Sequence, residues 1–300
     1  MIDFNKIKTI PICVRKNKFS IDELVSLEAS GVLSDNCNLL KLSERVRNAR
    51  NRGREFILMM GGHVIKVGMS NFINDLMRRN LITHVAMNGA GAIHDFELAY
   101  NGATSEDVSE NIEDGSFGMA DETGHYLNIA AVNAAEEGVG LGRKIGQMIG
   151  ELGCKYKDKS ILHNAYRMGL PATVHTAIGA ETIYQHPLCD AGALGKSSYE
   201  DFKILTDSIS RLEGGVVANV GCAVILPEVF LKAFIIARNL GFNVRRFTAA
   251  NLDMIDHYRP RVNVVERPTS LGGEGFVILE KHEKSIPTLY WYLTRREGWS

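Results

Sequence analysis

The sequence lacks the features that place a chain in a membrane or outside the cell. No apolar run approaches the ~20 residues that a membrane-spanning helix needs. Residues 1–20 alternate Lys and Arg with apolar residues, unlike the continuous apolar core of a signal peptide. The five cysteines are scattered and form no Cys-x-x-Cys pair, which argues against a disulfide framework and a cysteine-based zinc site. We therefore expect a soluble, cytoplasmic protein with no membrane partner.

The sequence also lacks an excess of either charge. Its 34 Lys and Arg residues nearly balance 35 Asp and Glu residues, and the resulting net charge of −1 does not favour a nucleic-acid partner. The hydrophobic fraction of 45% is that of an ordinary globular protein. We predict one domain over residues 1–300, with residues 1–45 as an amino-terminal extension that packs on it.

Several short motifs that would identify a reaction are missing. Neither a Gly-x-Gly-x-x-Gly turn nor a phosphate-binding Gly-x-x-x-x-Gly-Lys-[Ser/Thr] loop is present. The Gly-x-Ser-x-Gly elbow of serine hydrolases is absent, as are the His-x-His and His-x-x-x-His spacings of compact metal sites. We therefore assign no metal ligands.

What the sequence does contain is a repeated strand–turn–helix pattern. Short apolar runs such as EFILMM, THVAMN and GVVANV are typical of strands buried on both faces of a parallel sheet. Amphipathic stretches of helical period separate them, for example SNFINDLMRR and YEDFKILTDSISRL. The pattern predicts an α/β fold with a doubly wound, mostly parallel, Rossmann-like sheet.

Four turns that follow predicted strands are rich in small or polar residues. In open parallel sheets the ligand lies beyond the carboxyl ends of the strands, and small residues let it approach the backbone. Such turns therefore favour a dinucleotide or similar ligand, although glycine can also serve packing alone. The turns are Gly61-Gly62-His63, Asn88-Gly89-Ala90-Gly91, Val220-Gly221-Cys222 and Thr248-Ala249-Ala250-Asn251.

The histidines near these turns leave other chemistries open. His63, His94 and His175 could serve a hydrolase or lyase, with a metal only if ligands converge from distant parts of the chain. His94 and Asp95 are adjacent and point in different directions on a helix, so they do not form an orienting pair. Asp95 is equally suited to cap the helix that begins DFELAY.

The ordered set of these segments resembles the deoxyhypusine synthase family. GMSNFINDLMRRNLITHVAMNGAGAIHD resembles the stretch of the family that ends in a strand and a small-residue turn. LPATVHTAIGAETIYQHP, GVVANVGCAVILPEV and FTAANLDMID match further family segments in the same order. The resemblance covers most of the chain from about Arg45 onward.

The resemblance implies NAD binding, usually in a homotetramer with sites between paired subunits, and a small cationic amine of polyamine type as substrate. It implies that amine-binding acids fall on Glu181 and Asp256. The family's NAD contacts fall on Gly61, Gly62, Asn88, Gly89, Ala90, His94, Gly221, Cys222, Thr248, Ala249 and Asp253, and the turns add His63 and Gly91.

The sequence departs from the family where the reaction takes place. The family has a loop with a catalytic lysine after the position of Asp256, whereas here the chain continues DHYRPRV with Arg261 nearest that position. Arginine stays protonated and cannot form an imine, so aminobutyl transfer does not carry over. Among other lysines we take Lys281 as the catalytic candidate, because it follows the last predicted strand.

These observations lead to one hypothesis and two alternatives. The leading hypothesis is a deoxyhypusine synthase-like protein that binds NAD and a small cationic amine. The first alternative is a non-catalytic or regulatory protein of the same fold, and the second is the histidine-dependent hydrolase or lyase.

Overall fold

The computed structural model describes residues 2–28 and 34–294. Its helices are α1 (Cys37–Asn51), α2 (His63–Lys66), α3 (Ser70–Arg78), α4 (Gly89–Asn101), α5 (Val108–Asp114), α6 (Asp121–Glu137), α7 (Leu141–Glu151), α8 (Ile161–Met168), α9 (Ala191–Ser210), α10 (Ile225–Asn239), α11 (Arg267–Thr269) and α12 (His282–Thr294). Its strands are β1 (Asn17–Ser20), β2 (Phe56–Met60), β3 (His84–Asn88), β4 (Ala103–Glu106), β5 (Ala172–His175), β6 (Val216–Val220), β7 (Thr248–Asp253) and β8 (Glu274–Leu279).

Six of the strands form one parallel sheet in the order β5-β3-β2-β6-β7-β8. The helices that connect them cover both faces, so the predicted doubly wound, Rossmann-like α/β fold is confirmed. The order reverses at β2, whose neighbours are β3 on one side and β6 on the other. This is the switch point where such sheets open a crevice for ligands.

The central strands are apolar because both of their faces are covered. Every residue of β2 and of β6 is buried. One hydrophobic cluster fills the face that α1, α3 and α12 cover, and a second fills the face that α9 and α10 cover. Continuous apolar runs are what two buried faces require.

A buried carboxylate, Asp95, holds the amino end of a helix rather than a ligand. It accepts hydrogen bonds from Ser160 Oγ (2.5 Å) and from the amides of Ile161 (2.7 Å) and Leu162 (3.1 Å). It therefore caps α8, and the prediction that it caps a helix beginning DFELAY is wrong because it lies inside α4.

The amino-terminal segment is joined to the sheet layer by a small second sheet. Strand β1 pairs antiparallel with β4, which follows α4. Arg15, just before β1, forms a buried ion pair with Glu97 of α4. In the part of the chain that the structure describes, no helix combines the length and apolar character needed to cross a membrane.

Candidate functional site

The carboxyl ends of β2 and β6 form the centre of the candidate site, and their turns fit together closely. A Cβ on Gly61 would lie 2.1 Å from the carbonyl oxygen of Gly221. Gly221 itself has a φ of 64°, a left-handed conformation that favours glycine. Both glycines are therefore required by the packing of the two turns, whatever ligand lies above them.

A histidine that sequence reasoning missed is buried beside these turns. His282 opens α12 and is 0% exposed, and a Cβ on Gly221 would lie 2.6 Å from its Nε2 atom. Its ring packs against that of His63, with centroids 5.6 Å apart. Neither ring nitrogen has a hydrogen-bond partner among residues 2–28 and 34–294. Burial lowers the pKa of His282, although the charge of Asp253 opposes this shift.

Asp253 and Cys222, both predicted cofactor contacts, lie at the carboxyl ends of the neighbouring strands β7 and β6. Asp253 is the last residue of β7 and is buried. Cys222 is also buried, and its Sγ atom accepts a hydrogen bond from the Leu226 amide at the start of α10 (3.4 Å). Burial raises the pKa of the Cys222 thiol, and the charge of Asp253 adds to that effect. Cys222 thus has a buried thiol whose sulfur caps a helix.

A cleft of about 250 Å³ opens next to these turns, beyond β2, β3 and β5. It contains three carboxyl groups, two cationic side chains and one histidine. Its lining is Arg15, Lys66, Ala90, Ile93, His94, Glu97, Ser105, Glu106, Val108, Phe117, Ala180, Glu181 and Thr182. Lys66 lines this cleft, whereas Lys281, the catalytic candidate from the sequence, is exposed and is not part of its lining.

His94 lies at the boundary between the turns and the cleft. Its Cδ2 atom lies 2.7 Å from where a Cβ on Gly62 would be, so glycine makes room for the ring. Its Nδ1 atom lies 2.7 Å from Thr104 Oγ1. Burial lowers the pKa of His94 to about 4, and Lys66 and Arg15 act in the same direction while Glu97 opposes them. The imidazole is therefore neutral at neutral pH.

Glu181 also lines the cleft, but its carboxylate is bound to backbone amides. Both of its oxygens accept from the Ala177 amide, at 2.9 and 3.0 Å. It also lies against the first turn of α4, where a Cβ on Gly89 would be 2.5 Å from its Cγ atom. Burial raises the pKa of Glu181, against the effect of these amides. The carboxylate occupies the amino end of α4, a position that suits an anion.

Asn88 and Gly91 make contacts that hold the Asn88 turn together. Asn88 caps α4, because its Oδ1 atom accepts from the Gly91 amide (2.9 Å). A Cβ on Gly91 would contact Met87 and that same Asn88 oxygen. Ala90 lies against Gly62 and lines the cleft.

The structure does not bring the two predicted amine-binding acids together. Glu181 follows β5 and Asp256 follows β7, and three strands separate them in the sheet. Four strand spacings make the two strand ends roughly 19 Å apart. Asp256 is moreover paired with Arg261. Within one chain the two acids therefore lie at separate places, and their role in binding an amine stays a prediction.

The predicted Thr248-Ala249 turn is also wrong. Thr248 and Ala249 are the first residues of β7 and pair with Val216 and Val217 of β6. They lie at the amino end of the sheet, opposite the Gly61 and Gly221 turns. Both are buried in the sheet.

Of the three histidines of the hydrolase alternative, His175 is held inside the fold. His175 ends β5, is buried, and lies 3.0 Å from Thr173 Oγ1 through its Nε2 atom. Burial lowers its pKa to about 3. Across the described ranges 2–28 and 34–294, no group of three or more His, Cys, Asp or Glu side chains is placed to hold a metal ion.

Comparison with known proteins finds similarity in the fold. No family model matches the chain and no curated protein matches its sequence. A protein of Methanococcus maripaludis S2 described as a LOR/SDH protein is 14% identical with a TM-score of 0.53, over 90% of this chain and 73% of that chain. AgrE, solved with ornithine and NAD+, is 11% identical with a TM-score of 0.51, over 87% of this chain and 33% of AgrE.

A protein of Entamoeba histolytica described as a deoxyhypusine synthase is 9% identical with a TM-score of 0.50, over 91% of this chain and 95% of that chain. At these identities the likeness shows a shared fold alone. The chain spans about a third of the length of AgrE.

Proposed function

We propose that the protein binds NAD at the carboxyl ends of β2, β6 and β7 and a small cationic amine in the neighbouring cleft. The fold supports the first part, because solved proteins that share it include AgrE with bound NAD+ and ornithine. When bound, NAD supplies a hydride acceptor. The chain's own residues would hold and orient the two ligands.

The observation that carries the proposal is the pair of unpartnered nitrogens on His282 in the described part of the chain. A buried polar atom without a hydrogen-bond partner costs about 1–3 kcal/mol, so a ligand that supplies partners for both ring nitrogens is favoured at this place. The amide and hydroxyl groups of NAD provide donors and acceptors that suit an imidazole. Gly61, Gly221, Asp253 and His282 would hold the cofactor, and the partly exposed His63 ring would move aside to admit it.

In folds of this kind the pyrophosphate of a dinucleotide usually binds at the amino end of a helix, but the amino end of α4 is not free to bind one. Glu181 already places a carboxylate there, over Gly89. The residues of β2, β6 and β7 fit the cofactor better than the Asn88 turn does. Of the NAD contacts predicted from the sequence, the proposal therefore keeps those at the carboxyl ends of β2, β6 and β7 and omits those of the Asn88 turn.

The charge of the cleft supports a cationic ligand. Glu97, Glu106 and Glu181 contribute three negative charges, while Arg15 and Lys66 contribute two positive charges. With His94 neutral, the lining carries a net charge of about −1. A small molecule with one ammonium group neutralises that charge.

Isothermal titration of the wild-type protein with NAD+ tests the cofactor assignment, and absence of binding at millimolar NAD+ would remove it. We expect Gly61→Ala to weaken NAD+ binding at least tenfold, because its Cβ must push the Gly221 turn away. Gly195→Ala is the matched control: a Cβ there meets nothing within 4 Å, so NAD+ affinity should not change.

A regulatory protein with the same binding site is the second candidate. The Arg261–Asp256 ion pair favours it, since it neutralises an acid that the leading hypothesis assigned to the amine. NADH formation, followed by absorbance across a panel of diamines and diamino acids, separates the two. The homotetramer likewise stays a proposal, and light scattering on the purified protein would test it.

A further inference from the structure

Four side chains form a continuous hydrogen-bonded chain from the amino-terminal segment to the cleft. Arg15 donates to both oxygens of Glu97, at 2.8 and 2.7 Å. Thr104 Oγ1 lies 2.5 Å from Glu97 Oε2 and 2.7 Å from His94 Nδ1. Arg15, Glu97 and Thr104 are buried, so water does not compete for these bonds.

The donors and acceptors of this chain can be assigned by counting protons. Glu97 bound to a guanidinium through both oxygens is a carboxylate and accepts only. It also accepts from Thr123 Oγ1 at 2.9 Å. The Thr104 hydroxyl has one proton and directs it to Glu97, so its oxygen must accept from His94. His94 therefore carries its proton on Nδ1.

The other ring nitrogen of His94 is then a lone-pair acceptor. Nε2 has no hydrogen-bond partner among the residues that the structure describes. It is next to Cδ2, the atom that faces the space left by Gly62. The groups that act on the charge of the ring are Glu97, Lys66, Arg15 and His63. Burial is the main effect that disfavours a second proton, with Lys66, Arg15 and His63 in the same direction and Glu97 against it, so the acceptor persists at neutral pH.

We propose that His94 is the specificity-determining residue of the cleft, where its Nε2 atom accepts a hydrogen bond from a primary ammonium group of the ligand. Thr104 and Glu97 are positioning residues that fix the tautomer. The cleft then recognises an ammonium group by hydrogen bonding as well as by charge. The identity of the ligand class rests on the proposed function, whereas the fixed tautomer does not.

Nitrogen-15 NMR of the histidine rings tests the tautomer in the wild-type protein without any ligand. The proposal expects His94 at pH 7 to be protonated on Nδ1 alone, and to lose this restriction in Thr104→Val. Thr104→Ser keeps the hydroxyl and should retain the wild-type pattern. A wild-type His94 protonated on Nε2, or on both nitrogens at pH 7, would overturn the proposal.

The hydrogen bond from an ammonium group to His94 is tested on the same nitrogen-15 signals of the histidine rings, with two probes of equal charge. We expect 1,4-diaminobutane to shift the Nε2 resonance of His94, and its fully N-methylated bis-quaternary analogue, which has no N–H donor, to leave it unchanged. Equal shifts with both probes, or no shift with the diamine, would overturn the recognition of an ammonium donor. A fixed tautomer in a protein that fails to bind NAD+ would refute the proposed function alone.

Discussion

At the scale of single residues, the Arg15–Glu97 ion pair joins the amino-terminal segment to the candidate site. Both side chains are almost fully buried, with exposed fractions of 3% and 2%. Burial of Arg15 acts to lower the pKa of the guanidinium, but the hydrogen bonds and charge of Glu97, together with the charges of Glu106 and Glu122, more than offset it, so the pKa is raised. The pair therefore stabilises the fold mainly by keeping each buried charge compensated.

Removing one partner of this pair should be strongly destabilising. Arg15→Met leaves the Glu97 charge buried without a counterion, and we expect a loss of about 3–5 kcal/mol in the free energy of unfolding. Urea denaturation measures it. Lys16→Met is the matched control, since Lys16 pairs with Glu110 at the surface and its loss should be hardly detectable. If both variants lost a similar free energy of unfolding, the buried ion pair would be no more important for stability than the surface pair.

At the scale of secondary-structure elements, Asp201 of α9 ties a strand to a helix. Its Oδ2 atom accepts from the amides of Gly142 in α7 (2.8 Å) and Val174 in β5 (2.7 Å). Its Oδ1 atom has no partner among residues 2–28 and 34–294. Burial raises the pKa of Asp201 to about 8, against the effect of the amides. The neutral acid is thus the form that the fold prefers.

The protonation of Asp201 makes stability depend on pH. Because the pKa is higher in the folded state than in the unfolded chain, folding binds a proton between pH ~4 and ~8. Stability from this group is therefore lost as pH rises toward and through 8. Asp201→Asn keeps the acceptor but does not ionise, so it should flatten the decline between pH ~5 and ~8 in urea denaturation. An unchanged slope would contradict the assignment.

The sequence predicted strands and helices correctly where burial gives the apolar residues a regular spacing. The prediction was wrong where polar side chains inside the sheet form hydrogen bonds with one another. The run TAAN looked like a turn because Thr248 and Asn251 are polar. In the structure Asn251 lies inside β7 and accepts a hydrogen bond from Asn219 Nδ2 of β6 (2.8 Å). Such a pair between neighbouring strands is invisible until their register is known.

The candidate site was predictable only in part, for a similar reason. The Gly61 and Gly221 turns follow apolar strands and could be found from the sequence. His282 could not be distinguished from Lys281 beside it, because which of the two side chains is buried depends on how α12 packs. The position of His282 shortly after the last predicted strand was the one available signal.

At the scale of the whole molecule, the buried His282 imidazole lies at the carboxyl ends of the sheet without a hydrogen-bond partner among the described residues. This lowers the stability of the free protein. His282 is enclosed between the Gly221 turn and the His63 ring, with both nitrogens unpartnered in the described part of the chain. The proposed function requires bound NAD to satisfy this imidazole. Removal of the imidazole should therefore raise the stability of the free protein and lower its affinity for NAD.

The His282→Leu variant tests this role of the imidazole most directly, with the surface variant Lys284→Ala as its control. An apolar side chain of similar size removes the unsatisfied nitrogens, so the free energy of unfolding without ligand should rise by about 1–3 kcal/mol. NAD+ affinity by titration calorimetry should fall at least tenfold, while the control retains both wild-type values. A His282→Leu protein that is less stable than wild type and binds NAD+ equally well would contradict the assignment of His282 to the cofactor.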